Sequence, residues 1–235
     1  RNLIRLLSNG RMFAREDFAR WTCGIAQLPF EAAVPMFGYD ARTHEGISRT
    51  PGSFAQTVAG LRHLFIHRKP GQLVEIRVIL TRPQMRSLDG LLDFLLAEFP
   101  MIDRVVFLFE EIEGFAERYK DQLAITQSEC AAQLDRNYRK LVAFKEVRLY
   151  HFSLCTVPLR LWPFVWNTLA DFKVDYLEGC RTLCRYKASC VGVHRSYMRH
   201  MGAPDIAPIA ALRPATPSGN PYHPFTAIDA SPVQA

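Results

Sequence analysis

No apolar run in these 235 residues approaches the ~18 residues that a membrane-spanning helix needs. No stretch near the start has the pattern of a secretory leader, and six cysteines in a chain of this length are too few for a disulfide scaffold. The expected compartment is therefore the cytoplasm. Several catalytic signatures are missing as well. There is no G-x-S-x-G, no Walker A sequence, no H-E-x-x-H and no G-x-G-x-x-G. The chain thus gives no sign of a serine hydrolase, a P-loop nucleotidase, a zincin or a dinucleotide-binding enzyme. One span lacks charge of one sign. Between 181 and 200 there is neither Asp nor Glu, but there are Arg181, Arg185, Lys187, Arg195 and Arg199.

What is present is an ordinary globular composition, 49% hydrophobic and 22% charged, with a formal net charge of +6. A basic surplus can serve nucleic-acid binding. Here much of it lies at the cysteine-rich end, where a bound anionic centre would neutralise it, so nucleic acid is not the expected partner. A chain of this length can bury a substantial core as one α/β domain with an appendage.

Hydrophobic periodicity alternates between two and 3.6 residues along the first two thirds of the chain. Residues 3–7 read as a strand. They are followed by a helix with Phe18, Trp21 and Ile25 on one face and Cys23 off it. Residues 30–37 read as a strand made irregular by Pro35, and 38–52 as a polar loop. Phe54, Val58, Leu61 and Phe65 mark a helix with Ser53 as N-cap. Residues 73–80 are the strongest strand, 88–99 a leucine-rich helix ended by Pro100, and 104–109 a strand. A helix over 127–144, with Cys130 on its apolar face, precedes a last strand over 147–154. Five strands alternating with helices imply right-handed crossovers and a parallel sheet, either open or an arc of a barrel. A helix near 161–171 then leads into the cysteine loop. Residues after 203 are rich in Ala, Pro and Ser and read as disordered. The expected division is 1–158, 159–202 and 203–235.

In parallel α/β folds ligands bind at the carboxyl ends of the strands. Those ends carry Ser8-Asn9-Gly10, Gly38-Tyr39-Asp40, Thr81-Arg82, Glu110-Glu111 and Ser153 to Cys155. Glu75 and Arg77 stand inside an apolar strand, and such buried charges need a partner. An internal ion pair is the simplest one. His44 lies in the expected polar loop, where a histidine is more often solvated than catalytic.

Cys180, Cys184 and Cys190 are spaced C-x3-C-x5-C, half of the cysteines within eleven residues. Thiolates bind soft metals, and a compact loop can aim three at one point. A fourth ligand closes such a site, and Cys155, at the end of the last strand, is the best-placed candidate. A cluster with net negative charge suits the basic surround, although zinc fits the same ligands and spacing does not separate the two.

Several blocks taken in order resemble the radical S-adenosylmethionine (radical SAM) superfamily. They are Leu-Leu-Ser-Asn-Gly-Arg-Met-Phe at 6–13, His44-Glu-Gly-Ile with Pro51-Gly-Ser-Phe54, Val74-Glu-Ile-Arg-Val-Ile-Leu-Thr-Arg82, Glu111-x-x-Gly114-Phe-Ala116, Leu161-Trp-Pro163, and Asp171-Phe-Lys173 followed by Tyr176-Leu-x-x-Cys180. Within it the chain is most similar to the His-Xaa-Ser system maturases, which share a SPASM-like C-terminal cysteine motif. The resemblance covers residues 1 to about 195. It implies a partial (β/α)6 barrel with a cysteine-rich cluster-binding extension. It implies a peptide-modifying enzyme that cleaves S-adenosylmethionine to a 5′-deoxyadenosyl radical and abstracts hydrogen from a peptide, one with His-Xaa-Ser repeats and with a companion maturase as a further partner. Cys155, Cys180, Cys184 and Cys190 would hold an auxiliary [4Fe–4S] cluster, and Asn9, Arg77 and Glu111 would contact the cofactor. The chain departs from the pattern in two ways. Its loop is C-x3-C-x5-C where the family has C-x2-C-x5-C. The C-x3-C-x2-C motif of the radical-generating cluster and the glycine-rich motif that follows it are absent, so the chain reads as an N-terminally truncated fragment that starts at the third barrel strand. The competing reading is a non-catalytic iron–sulfur or zinc protein that recognises a peptide.

Overall fold

The computed structural model describes residues 3–229. Along the first half the elements are β1 (Ile4–Leu7), α1 (Glu16–Ile25), β2 (Phe30–Pro35), α2 (Ala41–Ser48), α3 (Ser53–His67), β3 (Gln72–Leu80), α4 (Arg82–Arg86), α5 (Leu88–Glu98) and β4 (Arg104–Phe109). There follow α6 (Phe115–Arg118), α7 (Lys120–Leu123), α8 (Gln127–Arg136), α9 (Tyr138–Leu141), β5 (Val147–Tyr150) and β6 (Val165–Trp166). Strands β1 to β6 form one sheet in chain order. Pairs β1–β2, β2–β3 and β5–β6 are parallel, with Ile4 opposite Phe30, Phe30 opposite Gln72 and Leu149 opposite Val165. Val34, Ile76, Val78, Val105, Val106 and Phe107 are all buried, as a sheet covered on both faces requires. This is an α/β fold with a six-stranded parallel sheet, which fits a partial α/β barrel. Among the described residues no helix is long and apolar enough to cross a membrane.

Two compact units interleave along the chain, one of residues 1–79, 83–107 and 139–147, the other of 80–82, 108–138 and 148–235.

In the first unit, four local expectations are corrected. The face of α1 carrying Trp21 and Ile25 is exposed, each at 58%, and the helix buries Ala19, Thr22 and Cys23 instead. The apolar count favoured the larger side chains, but the core contact takes the smaller ones. The polar loop at 38–52 contains α2, which Asp40 starts through a capping box with Thr43. Its His44 is buried, not solvated, between Phe37 and Phe54, and accepts a hydrogen bond from the Phe37 amide at 3.3 Å. The N-cap of α3 is Gly52, not Ser53, which is already helical.

A charged net crosses the interior of this unit. Glu31 on β2 and Glu75 on β3 are fully buried. Arg104, opening β4, donates from Nη1 to Glu31 at 2.7 Å and to Glu75 at 3.0 Å, and from Nε to Glu146 at 2.9 Å. Arg5 on β1 reaches Glu31 at 3.1 Å and Arg77 reaches Glu75 at 2.7 Å. Burial and the facing Glu75 push the Glu31 carboxyl up, against the pull of Arg104 and Arg5. The ion pair expected of Glu75 and Arg77 is thus present and is one edge of a larger net.

In the second unit, the expected strand over 147–154 stops at Tyr150 because His151 takes a left-handed backbone, φ 68°. The expected helix near 161–171 is a 3-10 turn over Leu159–Phe164 with Pro163 inside it, followed by β6. The helix expected over 127–144 breaks at Asn137, whose side chain donates to the Gln133 carbonyl at 3.1 Å. Beyond β6 come β7 (Val174–Asp175), α10 (Glu178–Thr182), β8 (Val193–His194), α11 (Arg195–Met201), β9 (Ala215–Asn220) and β10 (His223–Ile228). The segment expected to be disordered therefore carries an antiparallel hairpin, β9–β10. Phe225 anchors it, stacked on buried Trp162 at 5.6 Å and edge-on to Tyr186 at 5.9 Å. Its low apolar content hid this anchor. Residues 230–235 lie outside the described residues.

The buried net yields a stability prediction. Arg104→Met leaves two buried carboxylates without their shared cation and should cost about 3–5 kcal/mol in urea unfolding. Arg5→Ala, at the half-exposed end of the net, should cost about 1 kcal/mol or less. Equal losses would contradict the central place of Arg104.

Candidate metal centre

Cys155, Cys180, Cys184 and Cys190 line one small cavity in the second unit, of about 20 Å3. Cys155 sits in a 3-10 turn over Leu154–Thr156 just after β5, Cys180 on α10, Cys184 in the turn after it, and Cys190 at the end of a 3-10 turn over Lys187–Ser189. Two features bring the loop to Cys155. Ser153 Oγ donates to the Gly192 carbonyl at 2.7 Å, and the Leu154 amide donates to Cys190 Sγ at 3.4 Å. Gly192 has φ 81°, and a Cβ there would lie 2.5 Å from Val174, so no other residue fits that approach. The Gly192 amide also donates to Cys190 Sγ, at 3.4 Å, and Tyr176 Oη donates to the Cys190 carbonyl at 2.9 Å.

Burial pushes the Cys155 thiol up to about 12, and burial and the neighbouring sulfurs raise Cys180 and Cys190 as well. Backbone amides oppose this at Cys155, Cys180 and Cys190, each lowering the thiol. Such sulfurs are protonated at neutral pH, as buried thiols are in general, and any metal they bound would have to displace those protons. Of the basic residues between 181 and 200, Lys187 lines the cavity, whereas Arg181 is paired with Asp175. Cys23 and Cys130 are buried core residues, in the first and second units respectively.

Among the described residues, the one set of three metal-ligating side chains whose donor atoms all lie within 4.8 Å is Glu111, Glu113 and His194. The four cysteines are not such a set. A tetrahedral zinc with Zn–S near 2.3 Å would hold them about 3.8 Å apart. A cubane spreads its outer sulfurs farther, because each binds a different iron.

The acidic trio is better read as a hydrogen-bonded charge cluster than as a metal site. The Ser196 amide donates to His194 Nδ1 at 3.1 Å. Ser196 Oγ, which already accepts from the Ile112 amide, lies 2.7 Å from the same nitrogen. Nδ1 is thus an acceptor, and the neutral ring carries its proton on Nε2, facing Glu111 at 3.5 Å and Glu113 at 3.8 Å. Lys173 supplies the positive charge by pairing with Glu111. His151 donates from Nδ1 to the Phe109 carbonyl at 3.3 Å, and burial lowers its imidazole to about 4, so it too is neutral. Burial by itself would raise Glu111, but Lys173 holds it below the usual carboxylate range.

The three residues expected to contact S-adenosylmethionine are not gathered within one unit. Asn9 is an exposed turn residue whose side chain accepts from the Arg11 amide at 3.1 Å. Arg77 is held by Glu75, and Glu111 belongs to the second unit and the Lys173 cluster. His151, Lys173, Glu113 and His194 were missed in the sequence. Glu111-x-Glu113 at the end of β4 and His151 just after β5 were visible as strand-end polar residues. Lys173 and His194 meet the site through the two-residue strands β7 and β8, where Val174 pairs with His194, and strands so short leave no periodic signal.

No protein-family profile, curated protein or solved structure matches this chain.

One further strand-end group has a distinct titration. Glu110 is 3% exposed, its Oε1 has no hydrogen-bond partner, and burial raises it to about 7 against the pull of Arg82. Its folded value lies above the ordinary 4.5, so its stabilisation is complete below pH 4.5 and is lost as pH rises through 7. Roughly 3 kcal/mol should disappear across that window. Urea midpoints of wild type and Glu110→Gln, compared at the two ends, should converge at low pH and diverge at high pH in favour of the Gln variant. Parallel curves would contradict it.

Proposed function

We propose that this chain is the C-terminal portion of a radical SAM peptide-modifying maturase, in which Cys155, Cys180, Cys184 and Cys190 hold an auxiliary [4Fe–4S] cluster. The single observation that carries the reading is the convergence of these four cysteines, from a strand end and a separate loop, on one cavity. The six-stranded parallel sheet with intervening helices is compatible with a barrel arc, and the sequence blocks described above supply the family. In such an enzyme the bound cofactors supply reductive cleavage of S-adenosylmethionine and hydrogen abstraction from the peptide.

The residues of this chain would bind and tune. Four thiolates would hold the cluster, and the Leu154 and Gly192 amides would donate to Cys190 Sγ and stabilise its charge. Gly192 would keep the loop close to the segment after β5, and Lys187 would lend positive charge to an anionic centre. Asn9, Arg77 and Glu111 are not needed for this role.

Anaerobic reconstitution tests it. The chain should bind about four irons and four acid-labile sulfides, and the Cys184→Ala/Cys190→Ala variant should lose them. One zinc without sulfide would transfer the weight to a structural site in a peptide-recognition protein. Lacking C-x3-C-x2-C, the reconstituted chain given S-adenosylmethionine and a reductant should form no 5′-deoxyadenosine. Its formation, followed by chromatography, would contradict the assignment of this chain to the part without the radical-generating cluster.

A further inference from the structure

A concavity in the first unit has a different chemistry. Its volume is about 340 Å3, at the lower end of the roughly 300–1,000 Å3 of ligand sites, and it is lined by Tyr39, Arg42, Thr43, Ile47, Pro83 and Arg86 among others. Its walls are tightly built. A Cβ at Gly90 on α5 would lie 2.7 Å from the Tyr39 ring, so a glycine is what lets the ring settle there. Thr43 is locked by Asp40, which accepts from its amide and its hydroxyl at 2.7 Å each, and the Tyr39 amide donates to Thr43 Oγ1 at 3.2 Å.

Arg42 on α2 and Arg86 on α4 are exposed, and among the described residues neither is in an ion pair. Asp40, the acid whose charge Arg42 feels, is taken up in capping α2. Two exposed guanidinium groups outside any close ion pair thus share a groove with the apolar surfaces of Tyr39, Ile47 and Pro83. Guanidinium forks match carboxylates and phosphates in geometry. A small inorganic anion would meet the arginines alone and leave the apolar surface wet. A chain that carries carboxylates beside an apolar or aromatic side chain meets both.

We infer that the groove between Tyr39, Arg42 and Arg86 binds an acidic peptide segment in which carboxylates flank an apolar or aromatic residue. The inference rests on the reading above only in taking the partner as a peptide. Its test needs no metal, so the two fail separately.

The probe is a fluorescein-labelled Glu-Leu-Glu-Phe-Glu-Leu peptide, with a Gln-for-Glu copy as control, titrated with the full chain as purified and read by anisotropy. Wild type should bind the acidic peptide at least about tenfold more tightly than the Gln copy, and rising salt should weaken binding. Arg42→Gln/Arg86→Gln, two exposed positions whose replacement should leave the circular dichroism spectrum unchanged, should lose about tenfold in affinity for the acidic peptide. Absence of wild-type binding, equal binding of the two peptides, or unchanged affinity in the double variant would overturn the inference. So would full displacement by millimolar inorganic phosphate, which would mark a simple anion site.

Discussion

Arg104 is the point on which the first unit depends. Glu31 and Glu75 lie buried on adjacent strands, and two carboxylates at that distance cannot both be ionised without a cation between them. Arg104 is that cation, with Arg5 and Arg77 at the flanks and Glu146 on its Nε. The net ties residues of β1, β2, β3 and the start of β4 through geometry that a one-residue slip would destroy, because a slip turns every side chain to the other face. A hydrophobic sheet alone would tolerate such slips more readily. Breaking such a net is costly, although a well-packed apolar replacement of all its members need not be, so its contribution is to register more than to net stability.

In the second unit the constraint is one of approach. The cysteine loop meets the end of β5 only because Gly192 has no side chain and Ser153 and Leu154 grip its backbone and Cys190. The result is four cysteines about one cavity, with amides aimed at some of them and the Cys155, Cys180 and Cys190 thiols raised by burial. In the neighbouring cluster Lys173 pairs with Glu111, and the tautomer set by Ser196 turns the His194 Nε2 proton toward Glu111 and Glu113.

Much of the scaffold was legible in the sequence because long, strongly patterned elements declare themselves. The strands at 72–80 and 104–109 and the helices at 53–67 and 88–98 lie where period two and period 3.6 put them. Failures came where tertiary context outweighed pattern. In α1 the large apolar residues face outward and Cys23 faces in, since the packing surface accepts small side chains there. The hairpin near the end was invisible because one aromatic, Phe225, anchors it. The loop cysteines were legible as a set from their spacing, and Cys155, distant in sequence, lines the same cavity. The placement of Asn9, Arg77 and Glu111 was not legible, because resemblance names positions but not the partners that hold them.

The central claim is that Cys155 and the loop cysteines act as one ligand set. Alkylation mapped by mass spectrometry on the apo and anaerobically reconstituted chain tests it most directly. Cys155, Cys180, Cys184 and Cys190 should become protected together on reconstitution and be released together by an iron chelator, with Cys23 and Cys130 unchanged. A Cys155 that alkylates equally in both states would contradict the account.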